Sequence, residues 1–212
     1  MAAFATATFT GTALTDELSV ADANWTKITG HTPNMLIGAT GAYVIYPGAG
    51  DSAAYRHTAT PPSANYSVFA DIWKPNSGSP NPSMGIIGRA SSSTQTYYLL
   101  QYRHSTTSLE LFKLVSGAST QLGSTYTMTL TSTPVSLELR MNGTAIEGYT
   151  DGVQRITVTD SDISAAGYAG ILGLNMRETG VADVGAIDNF SAEGIAASGI
   201  PKTSRLAMLG IG

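Results

Sequence analysis

The sequence predicts an all-β domain, built as a two-sheet antiparallel sandwich of the jelly-roll type. Three observations favour this fold class: apolar and polar residues alternate over many short segments, tight-turn residues separate those segments, and no amphipathic helical period of useful length accompanies them. A period of two residues is typical of strands that bury one face. Many short strands with regular turn signals favour a sandwich over a parallel α/β sheet.

The stretch from Val135 to Asp160 carries this pattern most clearly. Its first strand alternates apolar with polar side chains, which puts one row on a core and the other in water. Asn142-Gly143 and Asp151-Gly152 then supply residue pairs that tolerate the positive backbone angles of tight hairpin turns. The stretch is therefore predicted to be a three-stranded meander.

The other elements follow in chain order between clusters of Gly, Pro, Ser, Thr, Asn and Asp. The middle strands are rich in Tyr, Ile, Leu, Val and Phe, which suit a half-buried pleated surface. Residues 161–166 are predicted to hold one helical turn, and residues 75–82 a hairpin connection, with a binding loop as the alternative. The predicted strands are 18–28, 34–37, 42–46, 53–58, 65–74, 83–91, 95–103, 108–115, 125–130, 134–141, 144–150, 153–158, 168–175 and 186–193.

Length and composition narrow the function classes. The 212 residues suffice for one sizeable core. A charged fraction of 12% and a net charge of -4 lack the basic footprint of a nucleic-acid-binding protein, and no 18-residue apolar run predicts a membrane span. Cysteine is absent and the N-terminus does not resemble a signal peptide, so we expect synthesis in a cytoplasm and a phage or intracellular origin.

The end of the chain changes character. After Glu193 the strand pattern stops, and a Gly-rich stretch leads to an apolar terminus. We therefore predict a β jelly-roll domain at 1–193 and a C-terminal arm or docking tail at 194–212. Exposed apolar side chains are disfavoured in water, so a partner groove or sheet edge is the expected destination, with a frayed end as the alternative. The predicted partner-docking residues are Arg205, Leu206, Met208, Leu209 and Ile211.

Several ordered segments together resemble the concanavalin A-like lectin/glucanase superfamily, and its laminin G-like domains in particular. The resemblance implies two antiparallel sheets in a curved jelly roll, whose concave face often takes glycans. The same architecture serves lectins, hydrolases, lyases and scaffolds, so function does not follow from it. The segments span most of residues 9–193 and read FTGTALTDELSVADANWTKITG, YSVFADIW, MGIIGRASSSTQTYYLLQYR, LELFKLVSG, GYAGILG and AIDNFSAE.

The residue patterns of familiar catalytic sites are missing from the sequence. Glucan-hydrolysing members of the superfamily carry an E-x-D-x-E run on one strand, because retention of configuration needs two carboxylates about 5–5.5 Å apart. His31, His57 and His104 lie at no metal-ligand spacing and are expected at the surface or at strand ends. We therefore expect no enzymatic activity. A polysaccharide-active lyase or hydrolase with an unusual site, using Tyr and Arg, is the weakest alternative.

Sugar binding fits the sequence better. Sugar sites use aromatic faces for pyranose rings and planar polar groups for hydroxyls. Alternation separates each of the strands 66–73 and 97–103 into two faces, and one face of each carries aromatic or planar polar side chains. Packing within the sandwich is the alternative role for these side chains. The predicted ligand-binding residues of the concave face are Trp73, Arg89, Tyr97, Gln101 and Arg103.

A structural Ca²⁺ is the one cofactor that the resemblance implies. Laminin G-like domains often bind Ca²⁺ through Asp side chains and loop carbonyls, and Asp188 in the closing AIDNF matches the position type that supplies such a ligand. Asp160 and Asp162 lie in a predicted loop and complete the set of metal candidates. Asp is also common in turns, where it makes local hydrogen bonds, and this is the alternative.

These observations favour a noncatalytic structural protein of a virion or particle surface, such as a phage capsid decoration or fibre component. The arm would dock to other virion proteins, while the jelly roll would face outward and contact cell-surface glycans. An exposed sheet edge or a shared arm would also produce a homo-oligomer. The alternative is a free carbohydrate-binding module or lectin.

Overall fold

A computed structural model describes residues 2–9, 17–38, 41–44, 52–74, 82–176 and 185–195. They form fifteen strands, one short helix α1 (Leu18–Ala21) and a 3₁₀ turn (His104–Thr106). The strands are β1 (Ala3–Ala7), β2 (Trp25–Lys27), β3 (Met35–Gly38), β4 (Gly41–Val44), β5 (Ala53–His57), β6 (Tyr66–Trp73), β7 (Ser83–Ala90), β8 (Tyr97–Arg103), β9 (Ser108–Val115), β10 (Ala118–Thr127), β11 (Val135–Asn142), β12 (Ala145–Thr150), β13 (Val153–Thr159), β14 (Tyr168–Leu174) and β15 (Ala186–Gly194).

Hydrogen bonding arranges these strands in two antiparallel sheets, which confirms the predicted jelly-roll sandwich. Sheet A has the order β13-β12-β11-β6-β15-β4-β3, and β1 pairs with β15. Sheet B has the order β10-β9-β8-β7-β14-β5-β2. Strands that are distant in sequence lie side by side, so most of the pairing is long-range.

The main hydrophobic core lies between the two sheets. Tyr66, Val68 and Ile72 of β6 are fully buried in it, together with Tyr98 and Leu100 of β8. The intervening residues of both strands lie on the outer faces, as alternation predicts. A second, smaller cluster of buried side chains covers the outer face of sheet B and consists of Ile28, Ala54, Ile87, Ala90, Tyr97, Leu99 and Leu172.

The predicted meander is confirmed as β11, β12 and β13, which pair in sequence order. Its second turn has positive φ at both central residues, 49° at Asp151 and 74° at Gly152. The first turn uses a positive φ at Gly143 (60°), while Asn142 ends the strand β11. The two turns therefore use the predicted glycines, and only the second uses its Asx residue in the same way.

Three segments depart from the predicted strands. The predicted strand 18–28 begins with α1, where Leu18 is fully buried and the helical turn closes on the Glu17 carbonyl. β10 begins at Ala118, well before the predicted strand 125–130, because pairing with β9 defines it while most of its side chains are exposed. β1 was not predicted from the sequence, and it owes its conformation to pairing with β15.

Two connections also differ from expectation. Residues 161–166 contain no helical turn. Residues 75–82 do not close a hairpin, because β6 belongs to sheet A and β7 to sheet B, so this connection links the two sheets. Residues 75–81 themselves lie outside the described part of the chain. Among the described helices, none is long and apolar enough to cross a membrane.

Candidate functional site

A cleft of about 440 Å³ lies on the outer face of sheet B. It crosses β10, β9, β8 and β14, and loop residues border it. The second buried cluster lies on this face, so the floor of the cleft is largely apolar. The lining consists of Gly30, His31, Thr32, Ser52, Gln95, Tyr97, Leu99, Gln101, Arg103, Phe112, Leu114, Ser119, Leu172 and Leu174.

Strand register places the floor residues side by side. Leu99 of β8 lies opposite Phe112 of β9, and in the next outward-facing row Gly85 of β7 lies between Leu172 and Gln101. Gly85 has no side chain, and a Cβ atom there would come within 2.8 Å of Leu99 Cδ1. The absence of a side chain at Gly85 therefore leaves space in the middle of the cleft floor.

Gln101 and Arg103 lie towards one end of the cleft. Gln101 is 7% exposed and lies opposite the buried Glu110 of β9. The Ser108 hydroxyl donates to Glu110 Oε1 at 3.0 Å, and Arg103 Nε lies 3.5 Å from Glu110 Oε2. The guanidinium carbon of Arg103 lies 5.8 Å from the centre of the Phe112 ring. This end therefore presents an amide and a guanidinium held over an apolar surface.

His31 and Tyr97 lie at the other end. His31 Nδ1 lies 2.8 Å from the Ser52 carbonyl oxygen, and His31 Nε2 lies 3.2 Å from the Tyr97 hydroxyl. Tyr97 is fully buried, and this burial raises the pKa of its hydroxyl. The hydroxyl therefore stays protonated near neutral pH and can donate to the imidazole. Gln95 adds an amide at this end.

The cleft can hold an extended ligand by apolar contact along its floor and hydrogen bonds at both ends. Tyr97 and Arg103 are six residues apart on β8, which corresponds to about 20 Å along a strand. The described lining includes one arginine, one histidine, several amides and hydroxyls, and no carboxylate. Apolar walls with a few placed polar groups are typical of ligand sites in proteins.

The structure brings three of the five predicted ligand-binding residues into this cleft, namely Tyr97, Gln101 and Arg103. Trp73 does not join them. It lies at the end of β6 in sheet A, in the row that faces away from the core, so the thickness of the sandwich separates it from the cleft. The predicted grouping needed the sheet order, which alternation within one strand does not supply.

Arg89 does not join them either, because an irregular backbone redirects it. Alternation along β7 would put Arg89 on the outer face with Gly85. Its φ of 51° and a register irregularity opposite Tyr168 and Gly170 turn the side chain into the interior, where Arg89 is 2% exposed. Its guanidinium donates hydrogen bonds to the carbonyl oxygens of Ala64, Gly143 and Ile163.

Sequence reasoning missed the floor and the loop residues of the cleft. Glu110, Phe112 and Leu114 recur at a spacing of two on β9, so alternation could have assigned Phe112 and Leu114 to one face. His31 and Gln95 carry no comparable signal, since they come from loops whose position depends on the whole fold. His31 was expected only at the surface or at a strand end.

Two of the predicted metal ligands are already bound to a lysine. Lys113 Nζ lies 2.5 Å from Asp160 Oδ2 and also contacts Asp162. The Tyr98 hydroxyl donates to Asp160 Oδ1 at 2.7 Å. Burial alone would raise the pKa of Asp160, but the hydrogen bonds from Lys113 and Tyr98 outweigh it and lower that pKa. Both carboxylates are thus engaged by one lysine, which offsets one of their two negative charges.

Asp188, the third predicted metal ligand, lies elsewhere. It belongs to β15, and its Oδ1 accepts a hydrogen bond from the Phe9 backbone at 2.6 Å. β15 and β13, which leads into Asp160, are four strand steps apart in sheet A, or about 19 Å. The three aspartates therefore do not form one site. Within the described ranges, no three His, Asp or Glu side chains are grouped to hold a metal ion.

The predicted docking residues Arg205, Leu206, Met208, Leu209 and Ile211 lie outside the described residues. The proposed start of the arm shifts slightly: β15 runs through Gly194, which pairs with Tyr66, and the Ile195 backbone donates to the Asn65 carbonyl. The sheet domain therefore includes at least residue 195.

The outer face of sheet A carries a second cleft, of about 330 Å³, with the opposite electrostatic character. Glu138, Glu147 and Glu193 line it together with Arg140. Arg140 Nη2 lies 2.9 Å from Glu138 Oε1, and Tyr149 donates to Glu147 Oε2 at 2.9 Å. Three carboxylates and one guanidinium line this cleft, so its described lining is net acidic.

The fold is similar to those of sugar-binding proteins and a glucanase of known structure. The carbohydrate-binding module CBM66 from Bacillus subtilis matches with a TM-score of 0.61 and 19% identity, over 81% of this chain and 96% of that chain. The VIP36 exoplasmic/lumenal domain, in its Ca²⁺/Man3GlcNAc-bound form, matches with a TM-score of 0.59 and 8% identity, over 84% of this chain and 86% of that chain. The Bacillus licheniformis β-glucanase matches with a TM-score of 0.53 and 11% identity, over 81% and 92%.

At these identities the likeness is one of fold alone, and it agrees with the two-sheet jelly-roll sandwich described above. No protein-family model and no curated protein sequence matches the chain. Function has to be argued from the cleft itself.

Proposed function

We propose that this protein is a noncatalytic glycan-binding protein whose binding site is the cleft on sheet B. One observation carries the proposal: the cleft joins an apolar floor to hydrogen-bonding side chains at both ends, over a length that suits a chain of sugars. Leu99, Phe112 and Leu172 would contact the apolar faces of sugar rings. Gln101 and Arg103 would bind hydroxyl oxygens. The sugar-binding neighbours in fold support this assignment.

A noncatalytic role is supported by the chemistry of the lining. Retaining glycoside hydrolysis needs two carboxylates about 5–5.5 Å apart on either side of the scissile bond. The described lining of the cleft contains none, and the nearby Glu110 is 7% exposed and engaged by Ser108 and Arg103. Release of new reducing ends or unsaturated sugars from a polysaccharide panel would contradict this part of the proposal.

The test compares matched phenylalanines on the two faces. Phe112 lines the sheet B cleft, whereas Phe69 lies on the outer face of sheet A, and both are partly buried. Binding to a panel of polysaccharides is measured by affinity electrophoresis and by calorimetry. Phe112→Ala should weaken binding at least about tenfold, a loss of about 1.4 kcal/mol. Phe69→Ala should leave it unchanged, and equal losses in both variants would overturn the assignment of the face.

The C-terminal sequence also suggests where the protein acts. We infer from the apolar tail at 194–212 that the protein attaches to a virion or similar particle, at whose surface the jelly roll would display the cleft towards cell-surface glycans. Co-sedimentation with purified particles, with and without the tail, tests this attachment. Equal sedimentation of both forms would show that the tail has no docking role.

A structural Ca²⁺ also stays a prediction. Its support is the Ca²⁺-bound form of VIP36 among the structural neighbours. Asp188 is the candidate ligand to test, because Asp160 and Asp162 are engaged by Lys113. Thermal unfolding in EDTA, Mg²⁺ and Ca²⁺ should show stabilisation by Ca²⁺ alone, and its loss in Asp188→Asn. Identical unfolding in the three solutions would show that Ca²⁺ does not stabilise the protein.

A further inference from the structure

We infer that the glycan bound in the sheet B cleft is anionic, carrying uronate carboxylates or sulfate esters, and that Arg103 binds the anionic group. This inference rests on the proposed glycan-binding function and adds the substrate class. It follows from the hydrogen-bonding state of Arg103, from the charge of the lining, and from the contrast with the opposite face.

Arg103 keeps its hydrogen-bond donors available. Its one ionic contact is Glu110, at 3.5 Å from Nε, and none of its guanidinium N–H groups makes a hydrogen bond within the described residues. The side chain is 41% exposed and lines the cleft. A guanidinium has five N–H donors in a planar fork, which matches the oxygens of a carboxylate or sulfate.

The other arginines in the described part of the chain behave differently. Arg89 and Arg140 each donate several hydrogen bonds to protein oxygens, and Arg155 donates to the Thr150 hydroxyl at 2.9 Å. Arg56 lies over the Tyr168 ring at 4.3 Å and does not line the cleft. Arg103 is thus an arginine that both faces the cleft and lacks an acceptor among the described residues.

Glu110 orients Arg103 without occupying its donors. It is 7% exposed, its Oε1 accepts from Ser108, and its Oε2 makes no hydrogen bond with the described residues. A separation of 3.5 Å is too long for a strong charge-assisted hydrogen bond. Glu110 therefore holds the guanidinium in place by charge, and a ligand oxyanion can take the N–H groups.

The remaining charges favour an anion at this cleft and oppose one on the other face. The described lining of the sheet B cleft has no carboxylate, and the neighbouring Glu110 is 7% exposed. The described lining of the sheet A cleft has three glutamates and one arginine. Like charges repel, so an acidic glycan is excluded from the sheet A face and admitted at sheet B.

The experiment uses polymer pairs that differ in charge. Binding of the full chain is measured to polygalacturonate and its methyl ester, and to dextran sulfate and dextran. The protein should bind the charged member of at least one pair ten times more tightly or better, and this preference should fall as salt is raised. The first pair reports a carboxylate, and the second a sulfate.

Matched variants assign the preference to one residue. Arg103→Gln should reduce the charged-to-neutral ratio to about one, and Arg103→Lys should restore part of it, because lysine keeps the charge and loses the planar fork. Arg56→Gln removes the same charge on the same sheet outside the cleft and should keep the ratio. Thermal unfolding checks that each variant is folded.

Each negative result would overturn a different part of the proposal. Equal binding to the charged and neutral members of every pair would overturn the inference and leave glycan binding standing. A charge preference that survives in Arg103→Gln would overturn the role of Arg103. Absence of binding to any of the polymers and to the wider panel would overturn the proposed function, and this inference with it.

Discussion

Arg89 is a single residue that ties three separate segments to the end of the sandwich. Its guanidinium donates to the carbonyls of Ala64 (3.0 Å), Gly143 (2.8 Å) and Ile163 (2.8 Å), and its own backbone N–H donates to the Tyr66 hydroxyl. A charged group can be buried when its donors all find acceptors. Arg89 therefore has a structural role, which separates it from Arg103 although both are arginines on neighbouring strands of sheet B.

We expect Arg89→Met to lower the free energy of unfolding by about 3 kcal/mol or more, since hydrogen bonds from a charged donor contribute about 1.5–3 kcal/mol each. The control is Arg103→Met, which removes a partly exposed guanidinium whose one ionic contact among the described residues is Glu110, and it should cost less than Arg89→Met. Urea denaturation followed by fluorescence measures both. A larger loss in the Arg103 variant would contradict the structural role of Arg89.

His57 is a buried residue that should make stability depend on pH. It is 7% exposed, its ring packs against Trp25 (5.3 Å) and Phe190 (6.1 Å), and its Nδ1 accepts a hydrogen bond from the Ala59 backbone at 3.0 Å. Burial lowers the pKa of His57. A nearby Asp22 opposes this shift only partly.

We expect the free energy of unfolding to fall as the pH drops below about 6.5, the pKa of an unfolded histidine. Below that value the unfolded chain binds a proton that folded His57 does not, and the slope for one such group is at most about 1.4 kcal/mol per pH unit. His57→Asn, which can keep the acceptor for Ala59, should show a shallower fall between about pH 6.5 and 5. Urea titrations across that range measure both, and parallel curves would show that His57 is not responsible.

At the scale of elements, the β12–β13 hairpin shows how a turn residue sets strand register. Thr150 pairs with Val153, so the loop contains only Asp151 and Gly152, both with positive φ. Such two-residue loops match the twist of the flanking strands. Apart from its chain neighbours, no residue has an atom within 4 Å of the position that a Cβ on Gly152 would occupy. The cost of a side chain at this position therefore comes from the positive φ.

We expect Gly152→Ala to lower the free energy of unfolding by about 1–2 kcal/mol, the usual cost of a left-handed conformation for a residue with a Cβ. Gly152→Asn should cost less, because asparagine adopts this conformation more readily. Both variants are compared by urea denaturation. If alanine and asparagine proved equal, the positive φ would not be the source of the cost.

The elements also show what the sequence could and could not predict. Tyr66, Val68 and Ile72 alternate on β6, and this local period of two assigned them to one face, which the structure buries in the core. β10 could not be bounded in the same way, since its exposed Ser, Thr and Gln residues become a strand by pairing with β9. The cleft residues show the same difference. Gln101 and Arg103 could be grouped from the sequence, because they share one face of one strand, whereas the position of His31 depends on the loops and on the sheet order.

At the scale of the whole molecule, two sheets of opposite surface chemistry enclose one core. Sheet B covers part of its outer face with apolar side chains and one arginine, and sheet A presents glutamates. An anionic ligand is therefore expected to bind to the sheet B side of the sandwich rather than to the sheet A side. The proposed glycan binding at sheet B would leave the other side and the C-terminal end open to a different partner.

The last prediction concerns that end. The sheet domain includes residue 195, because Gly194 pairs with Tyr66 and Ile195 donates to Asn65. Deletion of 196–212 should therefore leave the midpoint of thermal unfolding and glycan binding unchanged, and should convert an oligomer or particle complex to monomers in light scattering. Deletion from residue 186 onward removes β15, which pairs with β6 in the middle of sheet A, and should abolish folding. If the shorter deletion left the mass of the assembly unaltered, attachment would have to be assigned to the sheet edges rather than to the tail.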